Sequence, residues 1–103
     1  PYRVESVRLK SINTAVPGEP LILNASVEAG AAEVIGNHVL RVTVTRPDDG
    51  ELKWYAQNIL ASTGRATITV PLARNEVPGV HTIHVKDVMS GVSAELKIDF
   101  VSK

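Results

Sequence analysis

Leu21-Ile22-Leu23-Asn24-Ala25-Ser26-Val27 holds the key to the fold. Leu21, Leu23, Ala25 and Val27 fall on one face of an extended chain, and Asn24, Ser26 and then Glu28 on the other. A period of two is the mark of a strand with one dry face and one wet face.

The same period recurs on either side. His38 to Thr45 places Leu40, Val42 and Val44 inward and Arg41, Thr43 and Thr45 outward. Arg65 to Leu72 turns Ala66, Ile68 and Val70 in; Val80 to Asp87 keeps His81, Ile83 and Val85 in phase. Val92 to Val101 alternates Ala94, Leu96, Ile98 and Phe100 with Ser93, Glu95, Lys97 and Asp99. A first strand spans about Val4 to Leu9, and Glu51 to Gln57 is expected to return antiparallel to the third. Pro17-Gly18-Glu19-Pro20, Pro47-Asp48-Asp49-Gly50, Ser62-Thr63-Gly64, Asn75–Gly79 and Met89-Ser90-Gly91 supply turns between them. Gly30–Asn37 reads as a looser connection. No segment carries a helical period over ten or more residues.

Composition agrees. Val, Ile and Thr number 15, 7 and 7, and branching at Cβ suits a pleated strand better than a helix. The aromatics are Tyr2, Trp54, Tyr55 and Phe100, so aliphatic side chains must build the core. A chain of 103 residues is one domain's worth, spanning 1–103, and large enough to bury a modest core. Cysteine is absent, which excludes disulfides, thiolate-bound zinc and thiol catalysis. Sheets with one dry face must pack face to face. The expectation is therefore all-β: a seven-stranded antiparallel immunoglobulin-like β-sandwich.

Short motifs point the same way. Val77-Pro78-Gly79-Val80-His81-Thr82-Ile83-His84-Val85 resembles the P-G-x-(aromatic)-x-I-x-V lead into the penultimate strand of bacterial immunoglobulin-like and macroglobulin-type domains, with His81 where the aromatic usually sits. Pro17-Gly18-Glu19 resembles the P-G-(D/E) before their second strand, and Arg46-Pro47-Asp48-Asp49-Gly50 their x-P-D-G hairpin. The whole is similar to modules of large bacterial surface proteins and carbohydrate-active enzymes. That resemblance implies a non-catalytic piece excised from a longer chain.

The chemistry-bearing residues offer little else. His81 and His84 lie three apart, on opposite faces of a strand, and His38 belongs to another strand; no metal site and no cofactor is expected. Asp48-Asp49-Gly50 is read as a turn and lacks calcium-loop spacing. There is no G-x-S-x-G elbow and no phosphate loop. Asn24-Ala25-Ser26 is a formal glycosylation sequon, but it sits mid-strand, where a solvated or cross-strand polar role for Asn24 is expected. Eleven basic residues balance eleven acidic ones along the chain, so neither nucleic-acid binding nor membrane insertion is expected.

Trp54 and Tyr55 pose a conflict. Simple alternation groups Trp54 with Leu52 and Ala56 and sends it inward. A four-residue loop at Pro47–Gly50 would instead oppose Thr45 to Leu52, Thr43 to Trp54 and Val42 to Tyr55, turning Tyr55 in and Trp54 out. The hairpin count is preferred, because turn length fixes register. Trp54 then becomes the expected contact point for a ligand or partner. The expected function is a spacer, domain-packing or protein-interaction module of a larger extracytoplasmic bacterial protein, meeting neighbouring domains or another protein. The alternative is a carbohydrate-binding accessory module of a glycoside-active enzyme. No catalytic residue is assigned.

Overall fold

The computed structural model describes residues 4, 6–11, 14–28, 37–48 and 50–101. Eight strands form one curled, mixed sheet. In chain order they are β1 (Ser6–Lys10), β2 (Thr14–Ala15), β3 (Pro20–Glu28), β4 (Asn37–Thr45), β5 (Gln57–Ser62), β6 (Arg65–Pro71), β7 (Gly79–Asp87) and β8 (Ser93–Phe100). Their spatial order is β1-β3-β6-β5-β4-β7-β8-β2. The Gly30–Asn37 connection falls outside the described residues, except that Asn37 opens β4.

The sheet is nearly two. β5 meets β6 at a single rung, Ser62↔Arg65. The rung closes a tight hairpin in which Thr63 (φ 53°) and Gly64 (φ 79°) both have positive φ, as a two-residue turn matched to strand twist requires. Away from that turn the ladder stops, and the Gln57 side chain donates to the Thr69 carbonyl at 3.2 Å instead. The group β1-β3-β6 and the group β5-β4-β7-β8-β2 face one common core. Leu21, Leu23, Ala25, Val27, Ile68 and Val70 come from the first; Leu40, Val42, Val44, Ile83, Val85, Ile98 and Phe100 come from the second. These are the inward phases read from the sequence. Burying each of these side chains larger than alanine is worth about 1.5–3 kcal/mol.

Three expectations need correction. The described residues form eight strands rather than seven. They are not all antiparallel: β2 runs parallel to β8, pairing Thr14 with Asp99 and Ala15 with Phe100. A two-residue strand is too short to show a period, and period does not encode direction. Glu51–Gln57 is not a strand either. Glu51 makes one isolated bridge to Thr45, Lys53–Tyr55 is a 3-10 turn, and pairing with β4 resumes at Val42↔Gln57.

That 3-10 turn resolves the Trp54–Tyr55 conflict in a way neither register foresaw. The Tyr55 N–H donates to the Leu52 carbonyl at 3.1 Å, and that of Ala56 to Lys53 at 3.1 Å. With three residues per turn, positions i and i+3 share a face. Leu52 and Tyr55 both turn inward (1% and 4% exposed), and Trp54 turns out. The inward Tyr55 was expected from the hairpin count, but the counted register is not the one formed.

Candidate functional site

Several turns converge beside that 3-10 segment. A Cβ at Gly50 would meet the Arg46 guanidinium, which packs over that glycine. Gly79 begins β7 at φ +125°, a left-handed geometry that other residues rarely adopt, and its Cα approaches Pro47. The Gly18 N–H donates to the Leu72 carbonyl at 3.1 Å. The residues between Leu72 and Gly79 are drawn in by Tyr55. Its hydroxyl accepts the Ala73 backbone N–H at 2.8 Å and donates to Glu76 Oε1 at 3.1 Å. Burial pushes this hydroxyl above the ordinary tyrosine range and the Glu76 carboxylate adds to the rise, while the Ala73 N–H and a hydrogen bond with the Trp54 indole act the other way.

Trp54, the contact residue expected from sequence, is 66% exposed. Its ring centroid lies 5.9 Å from that of Tyr55, tilted by 58°. An exposed indole that leans on a buried tyrosine ring offers an apolar, amphipathic surface to a partner.

A second polar cluster lies at the far end of β4 and β7. His38 and Asp87 are both buried, with His38 Nδ1 3.0 Å from Asp87 Oδ1. The Ser90 hydroxyl donates to Asp87 Oδ2 at 2.7 Å and accepts the Val92 N–H at 3.2 Å. Burial opposes the charged form of Asp87, but hydrogen bonds from Ser90 and His38, the charge of His38 and the Met89 N–H outweigh it and hold the carboxyl below its ordinary range. The order is serine–aspartate–histidine, with the carboxylate in the middle. A nucleophilic triad needs the histidine there, to take the hydroxyl proton. A carboxylate with depressed proton affinity is a weak base for Ser90. What the arrangement does well is lock the turn between β7 and β8.

Sequence reading missed this cluster. The signal was present, since the inward phase of β4 extends back to His38 and that of β7 forward to Asp87. The other histidines separate as their parity requires. His81 is buried in the core, stacked on Phe100 at 3.7 Å and 8°. His84 lies on the outer face, 3.4 Å from Glu95 and 3.3 Å from the Thr45 hydroxyl. Asn24 is exposed and accepts a hydrogen bond from Thr67 at 3.0 Å, the cross-strand role expected of it. Among the described residues no group of three or more histidines and carboxylates gathers as a metal site.

The fold resembles that of a CARDB domain. The solved domain, from Pyrococcus furiosus and in complex with di-metal ions, aligns over 93% of this chain and 86% of its own length, at a TM-score of 0.58 and 11% identity. No protein-family model and no curated protein sequence matches the chain. At that identity the likeness concerns the fold alone.

Proposed function

We propose that the chain is a non-catalytic, immunoglobulin-like β-sandwich module. It serves as a spacer, domain-packing or protein-interaction unit of a larger extracytoplasmic bacterial protein. Two strand groups joined by one rung and facing a common core support the sandwich description, and the likeness to a CARDB domain agrees with it. The observation that carries the functional reading is Trp54, exposed and packed edgewise on Tyr55 at the end where the turns converge. An exposed tryptophan suits a partner's apolar surface, and loops on a rigid scaffold are where binding residues gather.

The same observation supports a second reading, a carbohydrate-binding module, because an exposed indole face also suits the apolar face of a sugar ring. A photo-crosslinking residue placed at position 54 of the parent protein distinguishes them. The leading reading expects covalent products with a neighbouring domain or another protein. A glycan array on which binding shifts Trp54 emission, with no protein crosslinked, establishes the sugar reading instead. Turnover of ester, phosphate or glycoside substrates that His38→Asn or Asp87→Asn abolishes while the fold persists would refute both.

A further inference from the structure

The mixed charge of the sequence does not stay mixed on folding. On the outer face of β1, β3 and β6, the register sets Arg8 beside Ser26 and Ser26 beside Arg65. The next row on that face is Lys10, Asn24 and Thr67. With strands about 4.8 Å apart, Arg8 and Arg65 stand about 10 Å apart across Ser26, and Lys10 stands one row from Arg8. These six side chains line one shallow depression.

Arg8, Lys10, Arg65 and the amide N–H groups of Asn24 can only donate, and the Ser26 hydroxyl can donate as well. Thr67 donates to Asn24 Oδ1 at 3.0 Å, which commits the amide oxygen and leaves the amide N–H groups of Asn24 directed elsewhere. Ser26 supplies a hydroxyl between the two arginines. The carboxylate nearby is Glu28, which meets Arg8 through Nε at 3.2 Å from the row beyond. Lys10 and Arg65 form no ion pair among the described residues. Like charges placed as neighbours on one sheet face oppose folding slightly. They fit a ligand that brings the missing anions.

We propose that this face binds an acidic polysaccharide, with Arg65 and Lys10 holding its carboxylate or sulfate groups and Asn24 and Ser26 donating to its oxygens. The three cations flank a central polar pair, so acidic groups repeated along an extended chain can meet more than one of them. None of the six residues is aromatic, so the face lacks the stacking platform that single-stranded nucleic acid uses. The adjacent exposed apolar residue is Ile22, paired with Thr69 in the next row, and one aliphatic side chain gives little to insert into a membrane.

Affinity electrophoresis and titration calorimetry with polygalacturonate and dextran sulfate test this, with neutral dextran as the blank. The 103-residue protein is expected to bind at least one of the two acidic polymers at low salt and neither detectably at high salt. Lys10→Gln with Arg65→Gln together should weaken binding roughly tenfold or more and lower the salt slope by about two. Lys53→Gln with Lys97→Gln, equal in charge and placed elsewhere, should leave binding near that of the parent. Circular dichroism melts confirm that both double variants fold. No binding to either acidic polymer, or equal loss in both double variants, overturns the proposal. Tighter binding to an oligothymidylate or to phosphatidylglycerol vesicles than to either polymer also overturns it and assigns the face to that ligand.

Discussion

Two buried histidines sit at opposite ends of the β4–β7 pair, and the fold accommodates them in different ways. His38 is met by a carboxylate, itself held by Ser90 and by the turn behind it. His81 is met by a ring: it stacks on Phe100, Nδ1 lies 3.0 Å from the Gly79 carbonyl, and Nε2 is buried with no hydrogen-bond partner among the described residues. A carbonyl only accepts, so Nδ1 of His81 carries the proton and its Nε2 is an unanswered acceptor. At one end a histidine works as a polar anchor. At the other it works as a flat apolar plate with one uncompensated nitrogen. The same side chain thus contributes hydrogen bonding in one place and packing in the other, and substitution can separate the two.

The largest effect is expected at the packing end. Phe100 is 1% exposed and forms one side of the stack. Phe100→Ala should cost about 3–5 kcal/mol in urea unfolding, the usual range for emptying an aromatic site. Asp87→Asn, at the anchoring end, should cost less, about 1–3 kcal/mol. The amide keeps the shape but removes the charge and one of the two acceptors that His38 and Ser90 share. If the anchor variant proved the more damaging of the two, the polar corner rather than the stack would hold β7 in place.

The anchoring end should also be the acid-sensitive one. Asp87 has its folded-state pKa lowered. A lowered carboxylate adds stability that is fully present above its unfolded value and is lost as pH falls through its folded value. Melting temperatures measured from neutral pH down to about pH 2 should therefore fall more steeply below the ordinary aspartate range in the parent protein than in Asp87→Asn. Parallel curves would show that Asp87 gains nothing from ionisation in the folded state.

These two ends also show what a sequence reveals and what it hides. The inward runs of β3, β4, β6, β7 and β8 were legible, because burial on one face leaves a period of two in the residues themselves. The 3-10 turn was not, since Leu52 and Tyr55 keep a period of three for a single turn, too short to tell from an irregular strand. The parallel β2 is two residues long and leaves no period. The His38–Asp87 contact spans 49 positions, and only the pairing of β4 with β7 brings its members together. The exposure of Trp54 was expected through a register that does not form. The cation face needed two registers at once, β1 on β3 and β3 on β6, and along the chain its members look like mixed charge.

The smallest expected effect is the most discriminating for the packing end. His81→Phe keeps an aromatic ring at this position and preserves the stack on Phe100. It removes the hydrogen bond to Gly79, worth about 1 kcal/mol. It also removes the buried acceptor at Nε2, whose desolvation costs about 1–3 kcal/mol. The extra volume of a six-membered ring works against the gain in a close-packed core. The net expectation is stability unchanged or raised by up to about 1 kcal/mol, read by urea unfolding at neutral pH. His38→Phe, which strands Asp87 among donors without its ring partner, should be clearly destabilising in the same assay. A loss of more than about 1 kcal/mol in His81→Phe would mean that Nε2 is answered in solution, for instance by an ordered water that the phenyl ring evicts. The two histidines would then both be anchors.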